Sequence, residues 1–110
     1  MIPSFDVTNC SRAKIDTASA GQVTIGAAVT GKRCVLVSLV LVVNTAQAVT
    51  IEETGNTDLS GPMPFGANGG FVLPPSREGW IASSSGQGLA LNLGSAVQTS
   101  GWALYRYADG

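Results

Sequence analysis

Residues Cys34 to Val43 form a run of ten in which only Ser38 is polar. A membrane-spanning helix needs about 20 apolar residues, and here Asn44, Thr45 and Gln47 follow at once. Half of the run is valine, whose branched Cβ favours a strand over a helix. A buried strand is expected over Arg33–Asn44, long for a small domain at about 3.3 Å per residue. In a two-sheet sandwich a strand buries one face and turns the other to water, so it reads apolar then polar. Simple alternation here puts Val35, Val37, Leu39, Leu41 and Val43 on one face. Cys34, Leu36, Ser38, Val40 and Val42 fall on the other, and both faces are apolar. A bare second face is an aggregation hazard, and the economical cover is another copy of the chain. Leu36, Ser38, Val40 and Val42 are therefore the expected oligomer interface.

The rest of the chain reads as strands broken by Gly, Pro, Asn and Ser, with no sustained helical period. Extended stretches are expected at Arg12–Thr17, Gln22–Val29, Ala46–Glu53, Phe71–Leu73, Trp80–Ser83, Leu89–Leu93 and Gly101–Ala108. Thr57–Ser60 and Met63–Phe65 are shorter pieces around Gly61-Pro62. Turns are expected at Thr30-Gly31-Lys32, Thr54-Gly55-Asn56 and Ala67-Asn68-Gly69-Gly70, and a hairpin loop at Ser84–Gly88. Leu89, Leu91 and Leu93 share one face, opposite Ala90 and Asn92. About eight short antiparallel strands in 110 residues predict an all-β, single-domain β-sandwich, jelly-roll-like.

Chemistry is hard to find. The chain has no histidine, which removes the commonest general base and metal ligand. Net charge is −1 and charged residues are 12%, so no broad cationic field is expected for nucleic acid or anionic lipid. Cys10 and Cys34 are too few for a zinc site. One bridge between them is open, but buried thiols are the preferred reading. Arg33 precedes Cys34, yet strand neighbours point to opposite faces, so no activated nucleophile is expected. Glu52-Glu53 is a pair only in sequence and reads as a solvated strand end. Asn56, Asp58 and Asp109 carry oxygen donors without a calcium-loop spacing. Trp80, Trp102, Tyr105 and Tyr107 offer a stacking surface for a sugar or base, although core or subunit packing is the commoner use. No enzyme activity, cofactor or metal is expected. The opening residues Met1–Asp6 lack a basic region followed by an apolar stretch, so no secretion signal is expected.

An ordered series in the second half resembles a known group. It runs Leu59-Ser60-Gly61-Pro62-Met63-Pro64, then Gly69-Gly70-Phe71-Val72-Leu73-Pro74, then Glu78-Gly79-Trp80-Ile81. Ser85-Gly86-Gln87-Gly88-Leu89-Ala90-Leu91-Asn92-Leu93 follows, then Ser100-Gly101 and Tyr105. Together with Thr30-Gly31-Lys32-Arg33 upstream, it resembles the small head decoration, or cement, proteins of tailed bacteriophages. The resemblance covers roughly residues 22–107. It implies a jelly-roll β-sandwich assembled as a homotrimer, located on the capsid surface of a virion. The implied partner is the major capsid protein, whose lattice such proteins stabilise, with no nucleic acid and no membrane involved. A receptor- or carbohydrate-binding module of a phage fibre or spike is the alternative, and a small glycan-active enzyme ranks last.

The first 20 residues lie outside the resemblance. Residues 1–11 are read as an N-terminal arm and 12–110 as the sandwich. Pro3 removes a backbone donor and argues against a central strand. Phe5 and Val7 alternate with polar residues and have no turn signal beside them. Ile2, Pro3, Phe5 and Val7 are thus the expected capsid contact, a swapped or edge strand within the trimer being the alternative.

Overall fold

The computed structural model describes residues 10–110. Nine strands follow one another, and no helix occurs among the described residues: β1 (Ser11–Thr17), β2 (Gly21–Gly26), β3 (Lys32–Val43), β4 (Gln47–Glu53), β5 (Met63–Phe65), β6 (Gly70–Leu73), β7 (Ile81–Ala82), β8 (Leu89–Leu93) and β9 (Thr99–Asp109). They make two antiparallel sheets. One has five strands in the order β1-β9-β3-β6, with β7 also pairing β3; the other has four, β2-β8-β4-β5. The chain crosses between sheets after β1, β2, β3, β5, β7 and β8, which is jelly-roll connectivity. The fold is the all-β sandwich that the strand count predicts.

The two sheets enclose one apolar layer. Ile15, Leu36, Leu39, Leu41, Val43 and Ala103 face inward from the five-stranded sheet; Ile25, Val49, Ile51, Leu89, Leu91 and Leu93 face them from the other. Leu89, Leu91 and Leu93 are buried and Asn92 is exposed, as alternation requires. Phe65 and Phe71 stack at 5.5 Å between centroids where β5 and β6 meet across the sheets. Near Cys34, Tyr105 and Tyr107 meet edge to face at 5.8 Å. The Tyr107 hydroxyl there donates to Ala27 O at 2.7 Å.

Two turns follow the sequence reading closely. Asn56 and Asn68 both have positive φ, 73° and 60°, a region asparagine enters more readily than most residues. Asn56 N–H donates to Glu53 O at 2.8 Å, and Gly69 N–H to Gly66 O at 2.9 Å. Two other expectations fail. Ser84–Gly88 is not a hairpin loop, because β7 and β8 belong to different sheets; it crosses one end of the sandwich. Thr57–Ser60 forms no strand and adds only an isolated bridge between Glu52 and Asp58.

Candidate interaction surface

The central strand departs from simple alternation at one residue. Leu36 pairs with Tyr105 and Ser38 with Leu104, so Val37 is an extra residue in β3. Such a bulge shifts the phase of every side chain beyond it. Before it, Cys34 and Leu36 face the core; after it, Leu39, Leu41 and Val43 do. This corrects the expected interface: Leu36 is fully buried between the sheets and is not on the outer face.

The outer face of β3 is itself divided. Beside the bulge it is covered by the chain's own segment Pro74–Trp80. Ser76 N–H donates to Val37 O at 3.0 Å and Trp80 N–H to Leu36 O at 2.8 Å. Gly79 packs so closely that a Cβ there would lie 2.2 Å from Val35 Cγ1. Val35, Val37 and Ser38 are consequently buried, and the Ser38 hydroxyl donates to Leu73 O at 2.8 Å. Ser38 is therefore a satisfied intramolecular group rather than an open contact. A monomer does cover part of this face, contrary to the expectation from sequence.

Past Ser38 the cover ends. Val40 lies opposite Val72 on β6 and opposite Trp102 on β9. The three make a row across neighbouring strands, with Lys14 of β1 opposite Trp102 at its end. Val42 lies one step further along β3, opposite Gly70 and Ser100. Val72 is 63% exposed, Val42 48% and Trp102 39%, while Val40 is half-buried between them. Trp80, beside the edge strand β7, is 47% exposed, and its indole N–H donates to Pro74 O at 2.8 Å. Large side chains of this kind contiguous on one face usually mark an interaction surface. Of the four residues expected at an oligomer interface, Val40 and Val42 lie on this open outer face. Val72 and Trp102 join them because the β6-β3-β9 pairing, invisible in the sequence, brings three distant segments together.

The opposite outer face is different in kind. Gln22, Thr50 and Asn92 lie in one row of the four-stranded sheet. Gln22 Nε2 donates to Glu52 Oε1 at 2.9 Å and to Asn56 Oδ1 at 3.1 Å. Asn92 Nδ2 lies 3.5 Å from Glu52 Oε2. Glu52 is only 2% exposed, because Glu53–Leu59 folds back over it, with Leu59 N–H donating to Ile51 O at 2.8 Å. Glu53 is also buried and accepts from Ser84 N–H. Neither is a solvated strand end, and the sequence carried no signal for this burial.

The two thiols are far apart, and the buried one is unreactive in placement. Cys34 faces the core and Cys10 precedes β1, two strands away; both are free. Burial pushes the Cys34 thiol up to about 11, so it stays protonated near neutral pH. Burial also raises the Tyr107 phenol, helped by Cys34 and Tyr105. Among the described residues no three of His, Cys, Asp and Glu gather at one point, and no cavity opens. Ile2, Pro3, Phe5 and Val7 lie outside the described residues. No family model, curated protein or solved structure matches the chain.

Proposed function

We propose that the chain is a structural virion protein: a trimeric decoration, or cement, protein that binds the outside of a bacteriophage head and stabilises the major capsid lattice. The observation that carries this reading is the bare apolar patch of Val40, Val42, Val72 and Trp102 on the five-stranded sheet. A patch of that make-up suits contact between subunits, since interface centres are apolar and rich in tryptophan. On this reading Val40, Val42, Val72 and Trp102 join the copies, and Ile2, Pro3, Phe5 and Val7 of the arm reach the lattice. No catalytic step is involved. A protein that binds only the mature lattice stabilises it by mass action, and many copies acting together allow each contact to be weak.

The test is solution mass followed by co-sedimentation with heads assembled without this protein. A trimer that saturates the heads supports the proposal. An 11.2 kDa monomer at micromolar concentration that leaves heads bare overturns it. The exposure of Trp80 and Trp102 favours one other reading, a carbohydrate-binding module of a fibre or spike, because exposed indoles stack on sugar rings. Binding on a glycan array that is lost in Trp102→Ala would select it.

A further inference from the structure

The cations of this chain are gathered on one face. Arg12, Lys14, Arg33 and Arg106 are four of its six lysines and arginines. Each alternates with core-facing neighbours, Ala13 and Ile15 on β1, Cys34 on β3, Tyr105 and Tyr107 on β9. All four therefore occupy the outer face of the five-stranded sheet. Arg33 lies opposite Ala108 and Arg106 opposite Val35, so Arg33 and Arg106 are diagonal neighbours. Arg12 lies opposite Leu104, which makes it diagonal to Arg106 from the other side, with Lys14 next on its own strand. Steps of this kind place neighbouring backbones about 7–8 Å apart. The result is a continuous stripe across β3, β9 and β1, beside the apolar patch.

Among the described residues the stripe is poorly neutralised. Lys14 has Asp16 at 3.7 Å. Arg12, Arg33 and Arg106 have no ion-pair partner among the described residues. Arg106 donates to Arg77 O at 3.1 Å, which steadies its guanidinium without cancelling its charge. Like charges this close repel one another and cost the fold stability. Another copy of the chain is a poor source of counter-charge. The exposed carboxylates among the described residues are Asp16, Asp58, Glu78 and Asp109. Asp16 is already beside Lys14, Asp109 is bonded to Lys32, and Glu52 and Glu53 are buried. That leaves only Asp58 and Glu78, one on each of two separate loops, against three unpaired arginines. A nucleic acid also fits poorly, because a net charge of −1 gives no long-range field to gather phosphates. A cluster of carboxylates on a protein needs only short-range pairing, and arginine meets a carboxylate with two parallel hydrogen bonds.

We infer that the stripe Arg33–Arg106–Arg12–Lys14 is a docking surface for an acidic patch on a different protein. Resting on the decoration reading above, that patch belongs to the capsid lattice. The stripe then adds a second, electrostatic contact to the one assigned to the arm. Its far end, Arg33 and Arg106, stands clear of the apolar patch and can be altered without touching it.

The test compares wild type, Arg33→Glu/Arg106→Glu and Arg33→Lys/Arg106→Lys in co-sedimentation with heads assembled without this protein. Salt is varied, and light scattering gives each mass. The expected result is a loss of at least tenfold in head affinity for the glutamate variant at unchanged mass. The lysine variant keeps most of the affinity, and wild-type affinity falls with added salt. Arg33→Glu alone, at an exposed position without a hydrogen bond to lose, shows the same direction if the double variant melts early. Wild-type binding with undiminished binding of both glutamate variants overturns the inference and leaves the decoration reading standing. Wild type that leaves heads bare overturns both. Tight binding of a 20-nucleotide single-stranded DNA that requires Arg33 and Arg106 overturns the protein partner in favour of nucleic acid.

Discussion

The thiol at position 34 is held neutral by its surroundings, and this ties it to alkaline stability. Its Sγ sits so close to β2 that a Cβ on Gly26 would fall 2.5 Å from it and 2.9 Å from the Tyr105 ring. Ionising there loses hydration with no cation in return, which pushes the thiol from 9.0 to about 11. Between those values the unfolded chain has released a proton that the folded chain keeps. The unfolded state then binds fewer protons, so stability falls as pH rises. Below the lower value the effect is absent. Denaturant melts stepped upward through this range should show wild type losing stability faster than Cys34→Ala. Tyr107, raised in the same direction, leaves the variant with part of the slope. Equal slopes would show that the thiol is not buried as described. Gly101 is a position whose backbone and close neighbours require glycine. Its φ is +150°, and a Cβ there would stand 1.8 Å from Val40 O. Gly101→Ala is expected to cost about 1–3 kcal/mol from backbone strain alone, and more if β9 must part from β3. Thermal melts that leave the midpoint unmoved would contradict this close approach.

At the scale of elements, β8 and β3 make a useful contrast. The alternation Leu89-Ala90-Leu91-Asn92-Leu93 is unbroken, and the leucines are all buried. Leu91→Ala is expected to cost about 2–5 kcal/mol, the range for emptying a closed core site. A loss under about 0.5 kcal/mol by denaturant titration, ordinary for a surface site, would place β8 elsewhere. This strand was legible because a period of two with one polar residue has a single solution. β3 was legible as a strand but not in its phase. A bulge adds one residue to a strand without requiring a glycine or proline to announce it. Leu36 was accordingly assigned outward when it points in, while Val40 and Val42, beyond the bulge, do face outward. The cover over Val35 and Val37 was hidden for another reason. It comes from Pro74–Trp80, an irregular segment whose path depends on where β6 and β7 pair. The turns at Asn56 and Asn68 were readable because their conformation is set within a few residues. The partners of Glu52 and the row Val72–Val40–Trp102 were not, since each joins residues from three distant segments.

At the scale of the whole molecule, the two outer faces set up the strongest stability test of self-association. The outer face of the four-stranded sheet shows amides and hydroxyls, with Glu52 folded under a loop. The five-stranded sheet shows valines and a tryptophan beside a row of cations. If copies join through that apolar patch, Val42 and Val72 pass from solvent into a dry contact. In a single chain both are already about half or more exposed, at 48% and 63%, so an aspartate there remains hydrated. Such surface changes usually move folding stability by no more than about 0.5 kcal/mol each, with up to about 1 kcal/mol for lost strand preference. In the joined state each aspartate is a charge buried without a partner, at a cost of several kcal/mol. Val42→Asp/Val72→Asp is therefore expected to leave a folded chain with near-native circular dichroism and a cooperative melt. Its mass by light scattering should drop to that of one chain at concentrations where wild type stays assembled. Leu36→Asp serves as the contrasting control. Because Leu36 lies between the sheets, that change should unfold the chain rather than merely separate copies. If the Val42/Val72 variant keeps the wild-type mass, the patch is not the subunit contact. The copies must then join through another surface, leaving the valines to a different partner.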